Sequence, residues 1–385
     1  MPKDPIGAAV RNLFTVERLA NGTNAKARKL IEDLFDDIVA QLARIDPTAP
    51  KAMRWRKQRV EKLLGIVGGD AKDVFDEVHR LVRQDLAEIG VQQAGWARDQ
   101  LERTTGTVGV DISPGQIGLN LIKSIVDTNP IQGELLKDWF RDQGRRTSQK
   151  VVRQIQLGMT QNETIDDMIR RVRGRYAGRK GKYTGGVMQT TTREAEAVVR
   201  TAVNQITTEA HLATYRENAD VTTKWEFVAT LDGNTTLVCR SLDGQTFSHD
   251  DPAAPKPPRH WRCRSQPVAV VDWEGLGIEP PPEGTRASAS GQVKSSTTQR
   301  GWLLDQPEAE QNRILGRRRA ELLREGKVSL RDMVRRDGST ITVKELMGAG
   351  GVKILDVVPS NIPKRIAEEV ADFMGAPTPK SLERA

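Results

Sequence analysis

The residues best suited to chemistry gather in one short stretch. Cys239 and Cys263 are the only cysteines of the chain, and His260 is one of its four histidines. In His260-Trp261-Arg262-Cys263 an imidazole and a thiol stand three residues apart, so a single loop offers two metal ligands. A structural zinc takes four such donors in a tetrahedron. Cys239, His260 and Cys263 supply three, and His249, Asp243 and Asp232 are candidates for the fourth. No Cys-x-x-Cys pair accompanies them, because Thr236 stands three residues before Cys239. Three readings stay open: a structural zinc, a redox-labile Cys239–Cys263 pair, or two thiols half-buried in a module held by its turns and prolines.

A second candidate surface is electrostatic. Arg170, Arg171, Arg173, Arg175, Arg179, Lys180 and Lys182 crowd a stretch without Asp or Glu, spaced by Gly174, Gly178, Gly181, Gly185 and Gly186. Like charges on a glycine-rich segment repel and extend, so a mobile basic loop over 173–186 is expected. It can approach phosphates or an acidic protein face, or stay a solvated loop with no partner. The net charge of +8 is concentrated here. Residues 151–200 carry ten basic and five acidic groups, whereas 201–250 carry three and seven.

These residues need elements to position them. The chain has 385 residues, 29% charged and only 4% aromatic, a composition that suits solvent-washed helices better than a sandwich or barrel. Leu30, Ile31, Leu34, Phe35, Ile38, Val39, Leu42 and Ile45 mark one face of a helix from Ala27 that Pro47 stops. A basic helix from Lys51 should end at Gly68-Gly69. Asp70 then caps a longer one with Val74, Phe75, Val78, Leu81, Val82, Leu86 and Ile89 buried. Thr160 and Glu163 have capping-box spacing ahead of Ile165, Met168, Ile169 and Val172. Another helix is expected from about Thr192 to Asn218. After Val221 the pattern alternates. Trp225–Thr230, a run after Asp243-Gly244, and Pro267–Val271 read as short strands.

The fold class expected is therefore mainly α with a small α+β module of short strands, in an elongated, multi-segment helical architecture. The divisions expected are an N-terminal helical region (1–103), a central helical region (111–220) and the strand-and-loop module (221–276). A Pro-, Ser- and Thr-rich linker (277–300), a C-terminal helical segment (301–347), and an arm and tail (348–385) follow. No uninterrupted apolar run is long enough for a membrane span. Met1-Pro2-Lys3-Asp4-Pro5 lacks the apolar core of a secretory signal, and two cysteines suit a reducing compartment.

The run Thr230-Leu231-Asp232-Gly233 through Cys239-Arg240-Ser241-Leu242-Asp243-Gly244, followed by Pro257-Pro258-Arg259-His260-Trp261-Arg262-Cys263-Arg264-Ser265, resembles the phage Mu F-like head morphogenesis family. Arg200-Thr201 and Asn204 are similar to that family's Arg-Thr-Glu-x-Asn stretch, with Ala202 in place of Glu. Trp302–Met333 is similar to its C-terminal part. Thr236 and Ser265 stand where the family often has further cysteines, so this chain keeps half of the thiols that a metal or disulfide staple would use.

The resemblance implies a non-enzymatic minor head (capsid) protein of a tailed bacteriophage. It would act in head morphogenesis near the portal vertex, with a role in DNA packaging or ejection. Its partners would be the portal protein, a scaffold or major capsid protein, and DNA. It would be found in the host cytoplasm during assembly and in the phage head. A structural zinc is the one cofactor to weigh. The alternative is a metal-dependent nuclease using His260 with Asp243, Asp250 and Asp251, but no second catalytic histidine follows on a helix. Glu194-Ala195-Glu196 matches the Glu-x-Glu of ADP-ribosyltransferases, yet it lies in a helical run and recurs at Glu308-Ala309-Glu310. No phosphate loop with Lys-Ser/Thr is present, and no nucleophile–base arrangement is discernible.

Overall fold

The computed structural model describes residues 4–45, 57–110, 112–177 and 183–348. They fall into two compact units. The first takes the chain up to Thr230 together with Gly244–Ser296; the second takes Leu231–Asp243 together with the chain from Thr297. Helices dominate, with short antiparallel strands, so the mainly α class with a small α+β module holds. Among the described residues no helix is long and apolar enough to cross a membrane.

In the first unit, helix α1 (Pro5–Ala43) begins well before the expected start at Ala27. Asp4 caps it by accepting from Gly7 N at 2.8 Å, and Pro5 occupies the first turn. Its N-terminal half escapes a hydrophobic-periodicity reading because the buried stripe there runs Ala9, Asn12, Val16, Ala20, Thr23 and Asn24, small or polar residues at helical spacing. Helix α2 (Lys57–Gly106) is continuous where Gly68-Gly69 were expected to end it. The buried seam Val67, Ala71, Phe75, Val78 carries straight across the glycines. Packing of that seam offsets the roughly 1 kcal/mol that each glycine costs in a helix.

Helices α3 (Leu119–Thr128), α4 (Leu136–Thr160), α5 (Ile165–Arg173) and α6 (Gly186–Glu217) complete the helical body. Gly90 lets α2 approach closely, since a Cβ there would lie 2.6 Å from Ile122 and 3.0 Å from Ile206. The expected Thr160–Glu163 capping box is displaced. Thr160 is the last residue of α4 and donates to Gln156 O, while Thr164 caps α5 by accepting from Asp167 N. The cap moves because Glu163 is held by Arg171 instead.

Strands β1 (Arg175–Tyr176) and β2 (Tyr183–Thr184) pair antiparallel just before α6. A three-stranded sheet then has the order β4-β3-β5, from β3 (Lys224–Val228), β4 (Thr246–Ser248) and β5 (Gln266–Val270). Trp225 is paired with Phe247 on one side and Ala269 on the other. The region expected to be a linker holds a hairpin, β6 (Thr285–Ser288) with β7 (Gly291–Lys294). Arg286 of β6 is buried and donates to Ala229 O. A Cβ on Gly7 of α1 would collide with the Thr285 carbonyl, which is why the chain needs glycine there. The Ser/Thr/Gly composition that suggests a linker instead serves a short two-residue turn and a close approach to α1.

The second unit is built from α7 (Leu237–Leu242), α8 (Gln299–Leu304), α9 (Glu308–Leu315), α10 (Arg317–Arg324), a 3₁₀ turn (Arg331–Met333) and α11 (Val343–Gly348). Its core holds Leu231, Trp302, Leu303, Leu315, Ala320, Leu322, Leu323 and Met333. At the centre lies Arg240, whose guanidinium donates to Thr235 O at 2.9 Å, to Asp232 O at 2.5 Å and to Gln299 Oε1, with the Trp302 ring 5.8 Å away. Asp243 accepts from Gln299 N at 2.7 Å. The excursion 231–243 is thus completed by residues that follow it by more than fifty positions. The expected arm and tail beyond 348, including the amphipathic piece Ile362–Phe373, lie outside the described residues.

Candidate functional site: the His260–Cys263 turn on helix α6

Helix α6 presents Thr201 and Asn204 one turn apart, and both reach the loop ahead of β5. Thr201 Oγ1 donates to Ala197 O at 2.7 Å and accepts from Arg262 N at 3.0 Å. Asn204 Nδ2 donates to Ser265 O at 3.2 Å. The turn between them is closed by Cys263 N donating to His260 O at 3.2 Å. Arg262 sits at its apex with φ of +59°, a left-handed conformation uncommon for a long side chain, and its guanidinium donates to Arg193 O at 3.3 Å. The helical motif and the loop motif are therefore one hydrogen-bonded structure. Trp261 packs edge-on against Trp139 of α4, with ring centroids 5.0 Å apart.

This clamp brings His260 and Cys263 together, their ligand atoms within 4.8 Å. His260 Nδ1 lies 2.9 Å from Trp261 O. Burial pushes the His260 pKa down, but the hydrogen bond and charge of Cys263 outweigh it and hold it above the usual histidine value. Cys263 is buried, at 4% exposure. Cys239 is also buried but belongs to the second unit, on α7. Thr236 serves as the residue before α7. Ser265 is a buried residue whose carbonyl takes the Asn204 bond.

The candidates for a fourth ligand have other work. His249 Nε2 lies 2.9 Å from Thr222 O, and burial lowers its pKa. Asp232 Oδ1 accepts from Asn234 N and Thr235 N, closing its turn. Asp243 caps Gln299. Among the described residues, Asp250 and Asp251 do not gather with His260 into a three-donor set, as the nuclease alternative requires.

The basic stretch divides. Arg170 pairs with Asp167 at 2.8 Å, Arg171 forks onto Glu163, and Arg173 pairs with Asp36 at 2.6 Å while lying 4.0 Å over the Tyr183 ring. These three are structural, so the expected self-repelling run is neutralised at its start. Gly174 at φ +98° turns the chain into β1, where Arg175 and Tyr176 are exposed. Arg179, Lys180 and Lys182 lie outside the described residues.

Near this face Glu196 gathers Arg200 at 2.8 Å and Arg28 at 4.0 Å. Its burial favours the neutral acid, but Arg200, Arg262 and Arg28 outweigh that and lower its pKa. Glu194 pairs with Lys150 at 2.7 Å. The Glu-x-Glu pattern is therefore two ion-paired side chains of a helix.

The clamp, the turn and the excursion 231–243 all lie in one matched stretch. Residues 149–268 match the family model described as Phage Mu protein F like protein. No curated protein and no solved structure gives a match. The match begins inside α4 and ends inside β5, and it agrees with the resemblance seen in the motifs. This family is one of phage head morphogenesis. Its matched stretch contributes to both units, since 231–243 belongs to the second. Sequence reasoning found Thr201 and Asn204 through the motif, but their role as the clamp for Arg262 and Ser265 is visible only in the fold. The burial of Arg240 is not legible in the sequence, since an arginine in a polar run gives no sign of it.

Proposed function

We propose that the chain is a minor head protein of a tailed bacteriophage, acting without catalysis during head assembly at the portal vertex. The observation that carries this reading is the clamped signature, with Thr201 and Asn204 of α6 bonded to the loop 260–265 inside the family-matched stretch. Buried threonine and asparagine side chains spent on backbone atoms fit a scaffold that holds a loop in shape, rather than a reaction centre. Portal protein and a scaffold or major capsid protein are the partners proposed, met in the host cytoplasm during assembly and in the phage head. Arg175, Arg179, Lys180 and Lys182 are the residues proposed to approach DNA during packaging or ejection.

A clean deletion of the gene tests this. It should give empty or misassembled heads, and the tagged chain should co-purify with portal or scaffold protein. Normal particle yield and infectivity in the deletion would overturn the reading.

A further inference from the structure

We propose that the His260–Cys263 turn binds a thiophilic divalent cation of the zinc class. The imidazole and thiol donor atoms lie within 4.8 Å of one another. Both are soft or borderline donors, which select zinc-like ions over magnesium or calcium. The turn is already set in shape: Cys263 N donates to His260 O, Thr201 Oγ1 takes the Arg262 N–H, and Asn204 holds Ser265 O. A site held by a clamp from a neighbouring helix loses little entropy on taking a metal.

The second observation is the orientation of the imidazole. His260 Nδ1 lies 2.9 Å from the Trp261 carbonyl, a partner that can only accept. Nδ1 therefore carries the proton, and the lone pair sits on Nε2. Metal-bound histidines are held in this way, with the second ring nitrogen donating to a carbonyl or carboxylate that fixes tautomer and aim. Cys263 binds as thiolate and His260 through its imidazole, so loading replaces the hydrogen bond between the two side chains and releases the proton they hold to solvent, while the bonds of the clamp to Arg262 N and Ser265 O stay. The remaining tetrahedral positions are open to further donors or to water. A nucleophilic use of the same pair fits less well. Cys263 at 4% exposure is closed to a substrate, whereas a metal can be taken up as the chain folds. The inference stands apart from the head-protein reading. A chain that binds no cobalt would overturn it alone, whatever the deletion does to heads.

The test uses the full chain, stripped of metal by chelation and titrated with Co²⁺. A saturable thiolate-to-cobalt band at about one ion per chain is expected, bleached by Zn²⁺. Cys263→Ser should abolish the band and His260→Gln should weaken binding at least about tenfold. Circular dichroism checks that each variant is folded. Should a variant not fold, the wild-type chain still decides. Wild-type chain refolded with excess Zn²⁺ and desalted should keep about one zinc per chain by elemental analysis, and cobalt loading in weak buffer should release about one proton per chain. No cobalt band, a band undiminished in Cys263→Ser, or no zinc kept by the wild-type chain would overturn the proposal.

Discussion

Acidification should destabilise the first unit through His211. This side chain is fully buried on α6, stacked on Trp96 at 5.0 Å, with Nε2 3.2 Å from Gln93 Oε1. The same Gln93 oxygen accepts from Asn12 Nδ2 at 2.7 Å, so α1, α2 and α6 meet on one amide. Burial drives the His211 pKa down to about 3, against a smaller opposing effect of the Pro267 carbonyl. The folded chain thus keeps His211 neutral while the unfolded chain protonates it near the ordinary value of 6.5. Above pH 6.5 the two states bind the same protons and His211 is silent. Below it the unfolded state gains a proton that the folded state refuses, and stability falls by about 1.4 kcal/mol per pH unit until the folded pKa is reached. Between pH 6.5 and 5 that is roughly 2 kcal/mol, a sizeable share of the 5–15 kcal/mol typical of a domain. His249, also lowered by burial, steepens the loss.

The assay is urea unfolding at constant ionic strength from pH 7.5 to 5, read by tryptophan fluorescence. The window stays above the range where ordinary carboxylates titrate. His211→Gln retains a donor for Gln93 and removes the titrating group, so its stability should depend less on pH by up to about 1.4 kcal/mol per unit below pH 6.5. Identical pH slopes in wild type and variant would refute the reasoning.

Other consequences are equally concrete. Thr201→Ala leaves the Arg262 N–H without its acceptor and should cost about 1–2 kcal/mol, seen as faster amide exchange across 260–265 with the sheet unaffected. Arg240→Met strands three acceptors of the second unit and should destabilise it by about 3 kcal/mol or more, read as early proteolysis in 297–348. Gly174→Ala meets a backbone at φ +98° and places a Cβ 2.6 Å from Thr184 O, so the β1–β2 pairing should be lost, measured by the near-ultraviolet signal of Tyr176 and Tyr183. Charge reversal at Arg175, Arg179 and Lys180 should weaken DNA or portal binding and flatten its salt dependence, whereas Arg171→Glu should act on stability through Glu163.

Hydrophobic periodicity alone located the main helical runs and the strands around Trp225 and Val268, because those elements bury large apolar side chains at regular spacing. The motif alone selected Thr201, Asn204, His260 and Cys263. Three features needed the tertiary structure. The N-terminal half of α1 buries small and polar residues, whose helical register becomes evident only when another helix covers it. Gly68-Gly69 signals a break locally, but the seam from Val67 to Phe75 has partners on both sides and continues. The run 277–300 has the composition of a linker, yet a two-residue turn and the Gly7 approach make it a hairpin on α1. The basic stretch shows the same division of labour. Sequence counts its charges, but only the fold places Glu163, Asp167 and Asp36 beside them, since an ion pair is made by residues that meet in space.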